Sequence, residues 1–132
     1  MKVHVLRLLP KQDLLKALLA YIKDQAIEAA VVISCVGSTG STVLRPAGVP
    51  KPKVFKGSYE ITSLTGTLGL RGHHLHLGIS DAECKAYGGH LLEGTLVRTT
   101  AEIALGVVEG VRFTRPQDLR TGYDELSIDQ LQ

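Results

Sequence analysis

The chain has 132 residues, the length of one domain, and an apolar fraction of 44% that can form an aliphatic core without disulfide staples. Its net charge of +2 is weaker than the basic excess of a dedicated DNA-binding domain. The two cysteines form no CxxC motif, and no stretch of about eighteen apolar residues occurs. We therefore expect a cytoplasmic protein with reduced thiols, no membrane span and no secretion signal.

The N-terminal third predicts a strand, a helix and a second strand. Residues 2–9 have the pattern of a strand, and residues 29–36 are so continuously apolar that they predict a buried central strand. Residues 11–28 between them have helical periodicity, with Asp13 as a candidate N-cap. The apolar stripe of this helix consists of Leu14, Leu15, Leu18, Leu19 and Ile22.

A turn and a basic loop follow. Residues 37–41 are glycine- and serine-rich, but they lack the lysine of a phosphate-binding P-loop and predict a turn or bulge before a strand at 42–44. Residues 45–56, here called the basic segment, contain one arginine, three lysines and three prolines. No Asp or Glu occurs between positions 29 and 59. This composition predicts a loop that is either simply solvated or in contact with an anionic partner.

The second half of the chain predicts a series of strands. Residues 57–113 alternate apolar and polar positions, and a polar hairpin loop at 81–85 interrupts them. Residues 101–108 also have helical propensity, but the β-branched Val107 and Val108 favour a strand. Residues 114–132 predict a polar C-terminal tail. The whole chain, 1–132, is therefore one domain with its core at about 2–113.

Four of the five histidines lie between positions 73 and 90. Strand alternation places His74 and His76 on one face, with Cβ atoms about 7 Å apart, and His73 on the other face. The loop at 81–85 returns the chain and brings His90 alongside. Three imidazoles with an open fourth position can hold a divalent ion such as zinc, so His74, His76 and His90 are the candidate ligands. The alternatives are that these histidines bond to backbone groups or line a subunit interface.

Metal-dependent chemistry would also need a carboxylate near the ion. Glu60, on the neighbouring predicted strand, is the candidate base. Glu93 follows His90 by three residues and falls on the opposite face unless a bulge intervenes.

Several motifs occur in an order that resembles a known family, the PPC (plants and prokaryotes conserved) domain. The resemblance covers about residues 2–113. It rests on the segments 60–68, 74–76, 88–91 and 99–103, with support from 5–8 and 30–37.

This resemblance implies an α+β fold: a strongly bent antiparallel sheet, or two sheets, flanked by one or two helices. The fold is also similar to that of acetolactate decarboxylase, in which three histidines hold zinc. By position, His74, His76 and His90 match the metal-binding histidines of the family. Members are usually homotrimers, and stand-alone bacterial and archaeal members are described as predicted DNA-binding proteins. The AT-hook of the plant members is absent here, and with it their minor-groove contact.

Three interpretations of the function follow. The first is a stand-alone, trimeric assembly or regulatory module that acts near DNA, meets a protein partner, and carries zinc or another divalent metal. The alternative is a zinc-dependent lyase or hydrolase acting on a small carbonyl compound or ester. A metal with a purely structural role is the third interpretation, and it would lack an open pocket beside the ion.

Overall fold

One helix and twelve strands make up the structure, a computed structural model that describes residues 1–132. In chain order the elements are β1 (Lys2–Leu8), α1 (Leu14–Asp24), β2 (Ala30–Thr39), β3 (Thr42–Arg45), β4 (Lys53–Phe55), β5 (Tyr59–Gly69), β6 (Gly72–Ser80), β7 (Ala86–Leu91), β8 (Val97–Val107), β9 (Val111–Thr114), β10 (Gln117–Asp118), β11 (Tyr123–Asp124) and β12 (Ser127–Gln130). The predicted α+β class is confirmed, with one helix. Residues 101–107 belong to a strand, as their β-branched residues predict.

Eight of the strands form one open sheet in the order β1-β8-β2-β5-β6-β7-β3-β4. All of its neighbours are antiparallel. Register shifts interrupt β2 between Val32 and Ser34 and β5 between Ile61 and Ser63. Such bulges bend a strand and increase its twist, which is consistent with the bent sheet that the family resemblance implies.

The helix begins where its sequence predicts. The Asp13 carboxylate accepts a hydrogen bond from the Lys16 amide at 3.0 Å and a second from the Gly94 amide at 2.8 Å, so it caps the helix and ties it to a loop of the sheet. The helix ends at Asp24, four residues before the predicted end, because Ala26 adopts a left-handed conformation with φ of 52°. This helix is eleven residues long, and no helix here has the length and apolar character needed to cross a membrane.

The core lies between the helix and one face of the sheet. Its 19 buried residues are aliphatic, and Leu14, Leu18 and Ile22 of the helix contribute to it. The strand predicted at 29–36 is central, as expected, but the expectation that it is wholly buried is wrong. Ile33 and Val36 are 49% and 59% exposed, because the helix covers only one face of the sheet. The exposed side chains of Met1, Val3, Val5, Ile33 and Val36 form what we call the apolar patch on the open face.

The C-terminal tail is polar, as predicted, and it is folded into short strands. β12 pairs with β9, and β10 pairs with β11. The tail leaves the core after Phe113, and Leu119 is 90% exposed. Its course matters for function, because it brings polar side chains back to the sheet beside the histidines.

Candidate metal centre

The pairing of β6 with β7 assembles the three predicted histidines. His74 and His76 alternate with the buried Leu75 and Leu77, so both imidazoles project from the open face of the sheet. The hairpin at 81–85 sets the register in which His76 lies directly opposite His90. Cross-strand neighbours of this kind have Cβ atoms about 5 Å apart.

The three rings are close enough to share one ion. One ligand nitrogen from each histidine can be chosen so that all three lie within 4.8 Å of one another. The Nε2 atoms of His74 and His76 are 3.1 Å apart. The rings of His74 and His90 are stacked with centroids at 5.2 Å, and those of His76 and His90 meet edge to face at 4.5 Å.

This geometry fits a divalent ion with nitrogen ligands. Two nitrogens that each lie about 2.05 Å from a tetrahedral zinc are roughly 3.3 Å apart, close to the separation of the His74 and His76 nitrogens. Without an ion, a single hydrogen bond between these two nitrogens can satisfy only that pair. A cleft borders His74 and His90, so one side of the cluster is open to a further ligand. A set of three imidazoles and an open side is typical of zinc sites that keep a water or substrate position.

Burial and neighbouring groups favour the neutral form of two of the imidazoles by lowering their pKa values. Burial and then the neighbouring His76 lower the pKa of His74 below the ordinary histidine value. Burial and then the Arg45 charge lower the pKa of His90 in the same way. A metal binds the neutral imidazole, so these influences favour the binding-competent form at neutral pH.

The cleft beside the histidines has a volume of about 900 Å³. One wall is the start of the basic segment, beginning at Arg45, and the other is the C-terminal tail with Arg115, Tyr123 and Glu125. Sequence patterning did not identify these four residues as site residues. The only signal was the composition of the basic segment, which contains Arg45 but does not indicate that this residue lies beside His90.

The two arginines flank the cluster from opposite sides. Arg45 lies directly across from His90 in the pairing of β3 with β7. Arg115 donates a hydrogen bond from Nη2 to Thr67 Oγ1 at 2.6 Å, and Thr67 is paired with His74. The Nε of Arg115 is buried without a hydrogen-bond partner. The cluster therefore lies between two guanidinium groups.

His73 lies on the other face of β6, as strand alternation predicts. It is half-buried near Leu19 and Ile22 of the helix and also reaches the rim of the cleft. Burial and then the Arg115 charge lower the pKa of His73. Its ring is not part of the group of three that could share an ion.

The two predicted carboxylates are placed differently from the histidines. Glu60 is exposed on β5 and pairs with Ser80, which is four residues and thus about 13 Å along the strand from His76. Glu93 is exposed just after β7, and its charge partly offsets the lowering of the His73 pKa. Neither borders the cleft, whereas Glu125 of the tail does.

Glycines near the cluster allow close approach of the backbone. Gly88 and Gly89 precede His90 directly in the chain. They lie in regular pairing within β7, and a Cβ at Gly89 would lie 2.8 Å from the Arg45 carbonyl oxygen. At Gly66, where φ is 140°, a Cβ would overlap the carbonyl oxygen of His74. The missing side chain of Gly66 thus lets β5 pair closely with the strand that carries His74.

Comparisons with known proteins identify relatives over nearly the whole chain. The bifunctional protein GlmU of Synechococcus sp. (strain JA-3-3Ab) is 41% identical over 131 residues, which is 99% of this chain, and GlmU of strain JA-2-3B'a(2-13) is 41% identical over 128 residues. The chain spans only about a fifth of the length of these curated relatives, 21% and 20%. Their shared region is therefore one part of a larger protein.

Solved structures share the fold. A hypothetical protein from Salmonella cholerae-suis has a TM-score of 0.98 at 38% identity, covering 99% of this chain and 95% of that one. A candidate DNA-binding protein from Bacteroides thetaiotaomicron has a TM-score of 0.85 at 22% identity, covering 95% and 91%. A metal-containing protein from Archaeoglobus fulgidus has 0.83 at 24%, covering 96% and 94%. At such identities the last two show the fold alone.

The predicted likeness to acetolactate decarboxylase is also confirmed for the fold. A Staphylococcus aureus protein similar to that enzyme has a TM-score of 0.55 at 20% identity, covering 83% of this chain and 54% of that one. The family model of the Plants and Prokaryotes Conserved (PCC) domain matches residues 1–109. The chain therefore belongs to the Plants and Prokaryotes Conserved domain family, the PPC family that its motifs resemble.

Proposed function

We propose that this PPC-domain protein binds one divalent metal ion through His74, His76 and His90. The observation that carries the proposal is the convergence of three imidazole nitrogens within 4.8 Å on the open face of the sheet. Zinc is the first candidate, because an all-imidazole site with an open side suits it. The metal-containing Archaeoglobus protein of the same fold supports the proposal without identifying the metal.

Metal analysis tests this proposal. Protein purified without added zinc and without a nickel column should contain about one equivalent of metal per chain, measured by mass spectrometry of the elements. Removing the metal with a chelator should lower Tm, and zinc at a hundred times its Kd should restore about 2.7 kcal/mol of stability. His90→Ala should lose both the metal and the effect of zinc. Absence of metal in the purified protein, together with a His90→Ala variant of unchanged metal content and stability, would refute the proposal.

A regulatory role in a homotrimer is the function we propose for the domain as a whole. The apolar patch supports assembly, because five exposed apolar side chains on β1, β2 and the residue before β1 are suited to contact with further copies of the chain. Light scattering should give the mass of three chains, and Val5→Asp should reduce it.

The basic segment and the Bacteroides neighbour support a role near DNA. A gel-shift series against salt should show binding to duplex that weakens as salt rises. Lack of binding at low salt would remove the DNA part of the proposal, and protein partners would then remain.

The rival function is a metal-dependent lyase or hydrolase acting on a small carbonyl compound or ester. The cleft beside the histidines favours it, because a purely structural metal needs no open side. A bound ion would polarise a carbonyl oxygen, while Arg45 and Arg115 would orient an acidic substrate. Glu125 would accept a proton, because it borders the cleft, whereas the predicted base Glu60 does not. Turnover of simple esters and 2-keto acids by the zinc-loaded protein, lost in His90→Ala, would favour this rival over the regulatory role.

A further inference from the structure

We propose that the cleft binds a small molecule through an oxyanion group, a carboxylate or a phosphate, held by Arg45 and Arg115 against the metal ion at the histidine cluster. This inference rests on the proposed metal site and adds the chemical class of its ligand. It assigns a role to two arginines that the fold does not need for its own ion pairs.

The arginines lie beside the histidines on the open face of the sheet. On the open face, neighbouring strands place Thr65, His76, His90 and Arg45 in one cross-strand row. Arg115 reaches the adjacent row, in which Thr67 lies opposite His74. A group that sits over the histidines is thus within reach of a guanidinium on either side. Arginine is well suited to this role, because its planar fork binds carboxylate and phosphate with two parallel hydrogen bonds.

Arg45 and Arg115 form no ion pair with a carboxylate of the protein. The ion pairs of the chain use Arg71, Arg112 and Arg120. Arg115 donates to the neutral hydroxyl of Thr67, and its buried Nε has no partner. An unsatisfied buried donor of a charged group is costly, and an oxyanion beside it would remove that cost.

The charge of the cleft depends on whether a metal is bound. Its lining contains two arginines and two carboxylates, those of Asp124 and Glu125, so these four charges cancel without a metal. A divalent ion bound by neutral imidazoles adds two positive charges, and the cleft then favours an anion. Glu125 is the carboxylate that acts on Arg115, and it competes with an incoming anion for that guanidinium. Anion binding should therefore depend on the metal and be opposed by Glu125.

The size of the cleft suits a small ligand. A cleft of about 900 Å³, walled by the basic segment and the tail, can take a compact metabolite. A polyanion such as DNA would instead need phosphate contacts spread along an extended surface.

Isothermal titration calorimetry can test the inference with two probes, inorganic phosphate and malonate, on zinc-loaded protein without free zinc and on chelator-treated protein. We expect binding only to the zinc-loaded form, and the preferred probe identifies the group as phosphate or carboxylate. R45Q and R115Q should each weaken binding roughly tenfold or more, since each removes a charge-assisted hydrogen bond. E125Q should strengthen it several-fold. R98Q, which changes an exposed arginine on the same sheet outside the cleft lining, is the matched control and should have no effect.

The outcomes separate the two proposals. Zinc content is measured on every variant, and it should stay at the wild-type level in R45Q, R115Q and E125Q. R115K distinguishes loss of the guanidinium contact from a displacement of the tail, because lysine keeps the positive charge but lacks the planar fork. If the tail stays in place, R115K should bind the probe with an affinity between those of the wild type and R115Q. If the protein holds zinc but binds neither probe at millimolar concentration, or if both arginine variants bind like R98Q, the anion site is refuted and the metal site stands. If the protein holds no metal, both proposals fall.

Discussion

His73 and His74 are adjacent in the chain, and the structure places them on opposite faces of β6. The imidazole of His74 lies on the open face with His76 and His90, whereas His73 lies on the other face near the helix. We therefore expect His74→Ala to abolish tight zinc binding and His73→Ala to leave it almost unchanged. The two variants make the same chemical change one residue apart, so each controls for the other.

The size of the effect follows from the geometry. The His74 and His76 nitrogens lie 3.1 Å apart, which is close to the separation of two ligand nitrogens around one zinc ion. His74 should therefore coordinate the ion directly. Changes to groups that only orient a ligand cost about 10–100-fold in metal affinity. Loss of a ligand should cost more, at least about a hundredfold, which corresponds to roughly 2.8 kcal/mol. His74 is exposed, so the metal-free stability of its alanine variant should change by only about 0.5 kcal/mol.

Competition with a fluorescent zinc chelator measures both affinities, and urea unfolding of the metal-free proteins checks that each variant is folded. A His74→Ala variant that retained wild-type affinity would refute the assignment of the ligand. A His73→Ala variant that lost affinity as severely, while remaining folded, would show that the two faces of β6 do not separate the roles as strand alternation requires.

Other predictions concern the framework of the site. Leu68→Ala should lower the unfolding free energy by about 2–5 kcal/mol in urea, because this side chain is fully buried, and a loss well below that range would contradict its place in the core. Gly66→Ala should destabilise the protein and weaken zinc binding together, because its Cβ would overlap the carbonyl oxygen of His74; wild-type Tm and affinity would contradict the close strand packing. Burial raises the pKa of the Cys35 thiol to about 11, so its alkylation should be slower than that of exposed Cys84 and rise about tenfold per pH unit from pH 7 to 9. A rate at Cys35 that levels off below pH 9 would show a lower pKa.

The local periodicities of the sequence account for much of the fold and for the histidine cluster. The helix was predictable because its apolar stripe and the N-cap Asp13 are local signals. The cluster was predictable because strand alternation sorts His73 from His74, and a short hairpin loop fixes where His90 returns. Each of these inferences depends on residues that are near one another in the chain.

The arginines could not be placed in the same way, because their positions depend on long-range structure. Arg45 faces His90 only because β3 pairs with β7, across an interval of more than forty residues that contains three other strands. Arg115 reaches the cleft because β9 is followed by a tail that folds back over the sheet. The exposure of Ile33 and Val36 was missed for a related reason, since a continuous apolar run does not reveal whether both faces of its sheet are covered.

These two origins make the metal site and the anion site separable. The histidines belong to paired strands within the sheet. His76 and His90 have strand partners on both sides, and His74 is paired with Thr67 of β5. The arginines come from the end of a short strand and from the polar tail, which has few buried anchors. On the proposed assignments, changes in the tail should alter which anion is held without removing the ion, whereas a change in the pairing of β5, β6 or β7 should disturb both. We therefore expect metal binding to depend on the sheet and the choice of ligand to depend on the segments at its borders.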